Sequence, residues 1–69
     1  MVIKAFQNNE ELTLKIEGFF DCTEIMEYDR FLETELGKYS FKTLIIDLAE
    51  LEFIDSMGMG RLIILKKKI

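Results

Sequence analysis

Histidine is absent from this 69-residue chain, and cysteine occurs once, as Cys22. Without histidine the chain can form neither a serine–histidine–aspartate triad nor a metal site built on imidazole groups. A single cysteine allows no internal disulfide, and a thiol without a histidine partner is a poor candidate nucleophile. The sequence also lacks a Walker-type phosphate loop, because Gly58 and Gly60 alone match only a fragment of that motif. We therefore expect a protein that is not an enzyme and has no catalytic residue, metal or cofactor.

Long apolar runs and an excess of basic side chains are missing too. No apolar stretch approaches the roughly 20 residues that span a membrane, and the first residues do not form a signal peptide with a cleavage site. The chain has 13 acidic and 9 basic side chains and a net charge of −4, which argues against a nucleic-acid partner. We expect a single domain over residues 1–69, located in the cytoplasm, with no membrane or nucleic-acid partner.

The apolar residues that are present predict two strands at the start of the chain. Residues 2–6 form a short first strand, and the polar residues 7–10 form a hairpin turn. Leu12, Leu14 and Ile16 then alternate with polar neighbours, which predicts a half-covered second strand that ends at Gly18. Residues 19–23 follow as a loop.

A helix is predicted over residues 24–36, with Asp21 or Thr23 as its cap. Its apolar residues recur at spacings of three and four and form one stripe: Ile25, Tyr28, Leu32, Leu36 and Tyr39. Gly37 is a typical stop signal. A helix between two strands predicts that these strands pair in parallel through a right-handed crossover. The predicted fold class is therefore α/β, bordering on α+β, with a mixed β-sheet layered with helices.

Residues 44–61 are the stretch around which the rest of the chain is arranged. The unbroken apolar run Leu44-Ile45-Ile46 predicts a strand covered on both faces. After an acidic link the chain reaches Phe53-Ile54, and then Asp55-Ser56 precedes a helical pattern that begins near Met57. A carboxylate and a hydroxyl therefore lie where a strand ends and a helix begins, which is the usual place for a ligand or partner site in such sheets.

Two interpretations of Asp55-Ser56 remain open from the residues alone. Either side chain can serve simply as a helix N-cap. Gly58 and Gly60, however, lie in the first turn of the helix, where each costs roughly 1 kcal/mol relative to alanine. A helix start that gives up stability in this way needs bare backbone, which favours a functional role.

These residues carry a resemblance to a known family. Leu44-Ile-Ile-Asp-Leu followed by Phe53-Ile-Asp-Ser-Met-Gly-Met-Gly resembles the signature of the STAS domain, the fold of bacterial anti-sigma factor antagonists. The family pattern is an apolar strand ending in Asp-Leu-Ser, then Asp-Ser-Ser-Gly-Leu-Gly opening a helix, and this chain departs from it at Ala49, Met57 and Met59. A weaker similarity covers residues 12–21. Family members usually continue with a further strand and helix, so the resemblance implies that the domain over residues 1–69 is incomplete.

The resemblance also implies a function for Ser56. In anti-sigma factor antagonists the unmodified form binds an anti-sigma factor that is also a serine kinase, which frees the sigma factor for transcription. Phosphorylation of the serine ends the interaction, and a phosphatase resets it. By position Ser56 is the phosphoacceptor, and the implied partner-binding residues are Asp21, Asp55, Ser56, Met57, Gly58, Met59 and Gly60.

The last helix, predicted over residues 57–67, has more apolar surface than one stripe requires. Leu62, Leu65 and Ile69 face one way, with Gly58 and Arg61 above them, while Met59, Ile63 and Ile64 widen the apolar surface. This surplus predicts an exposed patch and hence a homo-oligomer, such as a dimer. The alternative function is therefore a non-switching STAS scaffold or self-assembling structural subunit, in which Ser56 is only a cap.

A third hypothesis comes from a different class of protein. Asp47 and Asp55 follow predicted strands, and such a carboxylate pair can bind Mg²⁺ or accept a phosphoryl group. Two acidic residues at this spacing are common by chance, so this hypothesis has the least support.

Overall fold

The structure, a computed structural model, describes residues 1–68 of the chain and the side chains of residues 1–66. In chain order the elements are β1 (Val2–Asn8), β2 (Glu11–Phe20), α1 (Ile25–Thr34), β3 (Thr43–Asp47), β4 (Leu51–Ile54) and α2 (Ser56–Lys68). A short 3-10 turn, Leu36–Lys38, follows α1. The predicted mixed sheet layered with helices is confirmed, and the class is α+β with a STAS-like order of elements.

The strand β2 is the centre of a four-stranded sheet. On one side it pairs antiparallel with β1 through a two-residue hairpin turn, in which Asn9 adopts a left-handed φ of 57°. On the other side it pairs in parallel with β3 along its first half and with β4 along its second half. The parallel pairing predicted for strands separated by a helix is confirmed. β1 reaches Asn8, so the turn is shorter than the predicted one.

The prediction that β2 ends at Gly18 was wrong, because the strand continues through Phe19 and Phe20. Gly18 has a φ of +88°, a conformation that glycine adopts without a steric penalty. The register shifts at this point, since Gly18 pairs with Leu51 and Phe19 pairs with Phe53. Gly18 therefore bends the strand instead of terminating it, and the extension carries β2 to the end of the sheet where α2 begins.

The core lies between one face of the sheet and both helices. Leu12, Leu14, Ile16 and Phe20 of β2 are fully buried, and Ile16 and Phe20 cluster with Ile25 and Tyr28 of α1. Leu62 of α2 packs against the same cluster. Burying one such side chain contributes about 1.5–3 kcal/mol to stability, so this face holds the helices in place.

The opposite face of the sheet is open. Phe6, Phe19 and Phe53 are each about half exposed, and Ile45 of β3 is 38% exposed. The prediction of a third strand covered on both faces was therefore wrong, because within residues 1–68 the helices cover only the face that carries the core. The continuous apolar run did not distinguish a strand covered on both faces from a strand covered on one face.

The helix boundaries also differ from the predicted ones. α1 ends at Thr34, and Leu36 and Gly37 belong to the 3-10 turn that follows it. Neither Asp21 nor Thr23 caps α1, because the N-cap residue is Glu24 and its side chain makes no capping bond. α2 begins at Ser56, one residue before the predicted start. The predicted position of Ile69 lies outside the described residues.

Candidate functional site

Ser56 is the first residue of α2, at the end of the sheet where β2 and β4 finish. The N–H of Asp55 donates to the carbonyl of Phe20 at 3.2 Å, so the chain leaves β4 directly beside the last residue of β2. Ser56 is exposed there. The hydroxyl is therefore presented at the carboxyl ends of two parallel strands, where ligand and partner sites concentrate in such sheets.

The capping role that the sequence left open belongs to Asp55. Its Oδ1 accepts a hydrogen bond from the N–H of Gly58 at 2.9 Å, which is the third residue of the helix. Its carbonyl accepts the first helical bond, from the N–H of Met59 at 3.0 Å. No hydrogen bond among the described residues involves Ser56 Oγ. Since Asp55 satisfies the helix start, the hydroxyl of Ser56 is not needed as a cap.

Asp55 also ties the start of α2 to the loop between β2 and α1. Its second carboxylate oxygen, Oδ2, accepts a hydrogen bond from the N–H of Cys22 at 2.9 Å. Hydrogen bonds to a charged acceptor are stronger than neutral ones. One carboxylate therefore holds two segments together, and this contact brings the loop containing Asp21 to the same end of the sheet as Ser56.

Asp21 makes a local turn within that loop. Its Oδ1 accepts hydrogen bonds from the N–H of Thr23 at 3.0 Å and from the Thr23 hydroxyl. The hydrogen bond from the Thr23 hydroxyl is the largest of the effects that lower the pKa of Asp21 below its ordinary value. Asp21 is therefore ionised at neutral pH, and together with Asp55 it makes this end of the domain acidic.

Gly58 and Gly60 lie two residues apart but differ in their surroundings. A Cβ atom on Gly58 would lie 2.6 Å from the carbonyl oxygen of Phe20 and 2.9 Å from Ile54 Cγ1. Bare backbone is required there, and Gly58 is buried, so this glycine lets α2 approach the sheet closely. A Cβ on Gly60 would meet nothing within 4 Å. Packing within the domain therefore explains Gly58 and leaves Gly60 unexplained.

The outer face of α2 continues from Ser56. Met59, Gly60 and Ile63 follow Ser56 at spacings of three, four and seven residues, which places all four on one side of a helix. Met59 and Ile63 are each 54% exposed, and Met57 beside them is 49% exposed. The predicted exposed apolar patch on this helix is confirmed as an exposed surface. We call the residues Ser56, Met57, Met59, Gly60 and Ile63 the outer surface of α2.

The carboxylates of the Mg²⁺ hypothesis are already engaged with backbone groups. Asp47 Oδ1 accepts a hydrogen bond from the N–H of Ala49 at 2.9 Å, and both oxygens of Asp55 accept N–H groups. Within the part of the chain that the structure describes, no three acidic or thiol side chains are arranged to hold a metal ion. The two aspartates act here as acceptors that shape turns and the helix start.

Sequence reasoning missed a second set of contacts, between α1 and α2. Arg61 Nε donates to Asp29 Oδ1 at 3.0 Å, and its NH2 group donates to Asp29 Oδ2 at 3.2 Å. Beside this pair lies Tyr28, which is 1% exposed and whose hydroxyl has no hydrogen-bond partner among the described residues. The only signal was an acid on α1 and a base on α2, and many such pairs exist in any sequence.

A mixed sheet of four strands with two helices on one face defines an α+β domain, and its candidate site is the exposed serine at the start of the second helix. The chain belongs to the STAS domain family, whose model matches residues 2–69. No curated protein matches the chain. Family membership supports a regulatory role, anti-sigma factor antagonist-like or related to it, and STAS domains often act through protein–protein contacts. No helix among residues 1–68 is long and apolar enough to cross a membrane.

Proposed function

We propose that this domain is an anti-sigma factor antagonist-like module of the bacterial cytoplasm, without enzymatic activity of its own. It binds an anti-sigma factor that has serine kinase activity, and phosphorylation of Ser56 releases it. The observation that carries this proposal is the position of Ser56 at the exposed start of α2, with the capping role filled by Asp55.

A kinase needs a hydroxyl that it can reach and that the fold can release. Ser56 is exposed, and the hydrogen bonds that hold the helix start are accepted by Asp55, from the N–H of Gly58 at 2.9 Å and from the N–H of Cys22 at 2.9 Å. Modifying the hydroxyl therefore breaks none of the described contacts. The neighbouring Met57 and Gly60 lie on the same exposed end of the helix and offer the kinase a surface to contact.

The fold tolerates a phosphoryl group at this position. A phosphoserine adds close to two negative charges at neutral pH. The first turn of a helix favours negative charge by about 0.3–1 kcal/mol because its N–H groups and dipole point toward it. The nearby carboxylate of Asp55 opposes this, so we expect only a small net change in the stability of the domain.

A partner that covers the same surface is affected differently. The outer surface of α2 is largely apolar around Ser56, since Met57, Met59 and Ile63 are all about half exposed. A phosphoryl group in such an interface loses its water without gaining a positive partner, and Asp21 and Asp55 repel it further. The complex therefore dissociates while the domain stays folded, so the switch requires no large conformational change.

Phosphorylation is tested with a candidate anti-sigma factor kinase from the same genome, ATP and intact-mass measurement. We expect one added phosphoryl group, lost in Ser56→Ala and retained in Ser40→Ala. Ser40 is the matched control, because it is also an exposed serine but lies in the segment between the 3-10 turn and β3. Addition at Ser40, or equal addition to both variants, would contradict the assignment of Ser56.

Release is tested by calorimetry of the same partner with Ser56→Ala and Ser56→Asp. Ser56→Ala keeps the uncharged surface and should bind as the native chain does. Ser56→Asp introduces one charge into the interface and should weaken binding by roughly tenfold or more, which corresponds to at least about 1.4 kcal/mol. Equal affinity of the two variants would rule out an electrostatic switch.

One observation favours a second candidate, a STAS scaffold that assembles with copies of itself. The exposed apolar side chains of α2 form a patch of the kind that monomeric proteins usually limit. If the patch joins two copies, the native chain should sediment as a dimer and the Ile63→Gln variant as a monomer. Met26→Gln is the control, since Met26 is an exposed apolar residue on α1. A native chain that sediments as a monomer at all concentrations excludes this candidate.

A further inference from the structure

The strand β3, over Thr43–Asp47, has one edge that no strand covers within residues 1–68. It pairs only with β2, and the N–H of Thr43 donates toward that side, to the carbonyl of Glu10 at 3.1 Å. The backbone groups of successive residues point to alternate sides of a strand. The N–H and C=O groups of Leu44 and Ile46 therefore point to the free edge, where no neighbouring strand is present to bond to them.

This edge lacks the features that usually keep a sheet from pairing with another chain. Such edges are commonly protected by a lysine, a proline or a bulge. The other edge strand, β1, carries Lys4 near its middle. The middle of β3 is Leu44-Ile45-Ile46, and its register with β2 is regular throughout. The free edge of β3 is therefore open to pairing with a further strand.

The core is also incomplete below this edge. Leu44 and Ile46 lie opposite the buried Leu12 and Leu14 of β2, so they share the core face, but both are only partly buried. Together with three residues of α2 they line a groove of about 380 Å³; the α2 residues are Leu62, Leu65 and Lys66. A strand added at the edge of β3 would place its own side chains beside Leu44 and Ile46 and cover this groove.

The sequence of β3 is complementary to itself in the antiparallel direction. When Ile45 lies opposite Ile45 of a second copy, Leu44 lies opposite Ile46 and Thr43 lies opposite Asp47. Opposite residues whose backbone groups face each other exchange both hydrogen bonds. In this register the outward groups of Leu44 bond those of Ile46 of the second copy, and the two-fold symmetry repeats the exchange. All the backbone groups that β3 presents at its free edge are then satisfied.

Charge also favours the antiparallel arrangement of two copies. β3 begins directly after Lys42 and ends at Asp47. The ion pair of Lys42 with Glu10 is long, at 3.5 Å, and the Lys42 side chain is 79% exposed, so it is free to approach a second carboxylate. Antiparallel pairing brings Lys42 of one copy beside Asp47 of the other, whereas parallel pairing would align like charges.

We propose that the free edge of β3 is a dimer interface, at which two copies of this chain join their sheets into one continuous sheet. The two-fold axis passes beside Ile45, and Leu44 and Ile46 of each copy cover the groove of the other. Small domains commonly gain stability through oligomerisation of this kind. Ser56 follows β4 and does not line the groove, so it stays accessible in the dimer and the phosphorylation switch does not depend on this interface.

Association is measured by sedimentation of the native chain over a series of concentrations, and we expect a monomer–dimer equilibrium. Ile45 is 38% exposed on the open face of the sheet, so Ile45→Lys leaves the core untouched. This variant should weaken association by at least about tenfold, because two ammonium groups would lie directly opposite each other. A native chain that stays monomeric at every concentration overturns the proposal.

Two variants outside the interface are the controls. Phe6→Lys is the matched one, because Phe6 lies in the same row of the open face as Ile45, with Thr13 between them, but belongs to the other edge strand. Ile63→Gln alters the outer surface of α2. Both variants should dimerise as the native chain does. If Ile63→Gln becomes monomeric and Ile45→Lys does not, the copies join through α2 and the assignment of β3 is wrong.

Backbone amide exchange locates the interface without any substitution, and it decides the question even if Ile45→Lys fails to fold. The amides of Leu44 and Ile46 should exchange at least about tenfold more slowly in the dimer than in the diluted, monomeric chain. Ile45 is the internal control, since its N–H points to β2 in both states. Unchanged exchange at Leu44 and Ile46 on dimerisation, or protection of both in the monomer, overturns the proposal.

Discussion

The inner and outer faces of α2 belong to one helix but differ in what constrains their residues. On the inner face Gly58 and Leu65 are buried and Arg61 pairs with Asp29, so packing within the domain explains each residue. On the outer face Met59, Gly60 and Ile63 have no such explanation and remain accessible. The difference shows which residues packing within the domain does not explain. Those residues form the surface of α2 that is accessible for a function.

The largest effect is expected when the inner face loses its bare backbone. Gly58→Ala places a methyl group 2.6 Å from the carbonyl oxygen of Phe20, which is backbone and cannot move aside easily. We expect a loss of about 2–3 kcal/mol in the free energy of unfolding, typical of overpacking against a rigid neighbour. Denaturant unfolding measures this loss. A variant as stable as the native chain would show that α2 does not approach the sheet so closely.

A second large effect concerns Tyr28, which packs under the inner face. The pKa of its hydroxyl is about 12 in the folded chain, against an ordinary value of 10.0. Between these pH values the folded state keeps a proton that the unfolded state has lost, so stability falls as pH rises through this window. The fall should approach about 3 kcal/mol, since the pKa difference is about two units and each unit is worth about 1.4 kcal/mol.

This pH effect is isolated by comparing the native chain with Tyr28→Phe. Denaturant unfolding at pH 9 to about pH 12 should show the native chain losing stability relative to the variant. At neutral pH the variant should be the more stable of the two, because it removes an unpaired buried hydroxyl. Parallel pH profiles for the two proteins would mean that the Tyr28 hydroxyl is not buried.

Asp55 serves both faces, because it caps the helix that carries them. Asp55→Ala removes acceptors for the N–H groups of Gly58 and Cys22, each at 2.9 Å. We expect a loss of about 1–2 kcal/mol, as for other N-cap substitutions. Asp47→Ala is the control, since it removes one acceptor in a turn outside the helix and should cost less. Equal losses would show that the Asp55 carboxylate does not join the two segments.

The smallest effect, and one of opposite sign, is expected on the outer face. Gly60→Ala adds a methyl group that meets nothing within 4 Å, and alanine is favoured over glycine inside a helix. We expect a gain of about 0.5–1 kcal/mol. The same variant should weaken partner binding if the bare backbone of Gly60 is part of the docking surface. A loss of stability would contradict the open surroundings of this residue.

Local sequence patterns predicted the hairpin, the parallel pairing across α1 and the helix after Asp55. These features depend on the alternation of apolar and polar residues, the helical spacing of apolar residues and the choice of turn residues. Each of these patterns extends over only a few positions. The boundaries were less accurate where a glycine had two possible roles. Gly18 predicts a strand end, but with a φ of +88° it bends β2 and lets Phe20 reach the core.

The candidate site was predictable as a segment but not as a set of interactions. The motif around Asp55 and Ser56 indicated where the site lies, and both residues were equally plausible caps. Asp55 caps the helix through the N–H of Gly58, but its second carboxylate oxygen accepts from the N–H of Cys22, 33 positions away in the chain, and no local pattern indicates that contact. The pairing of Arg61 with Asp29 is also long-range, because it requires two helices to pack side by side.

The sequence by itself determined the first two strands, both helices and the presence of a serine at the start of the second helix, since hydrophobic periodicity and capping chemistry are local. It predicted one strand between the helices, where the structure has β3 and β4. Only the tertiary structure decided that Asp55 is the cap and that Gly58 must be bare while Gly60 need not be. It also decided that the Tyr28 hydroxyl lies buried beside the pair formed by Arg61 and Asp29. The physical reason is that hydrogen bonding, close packing and burial depend on which distant residues meet in space.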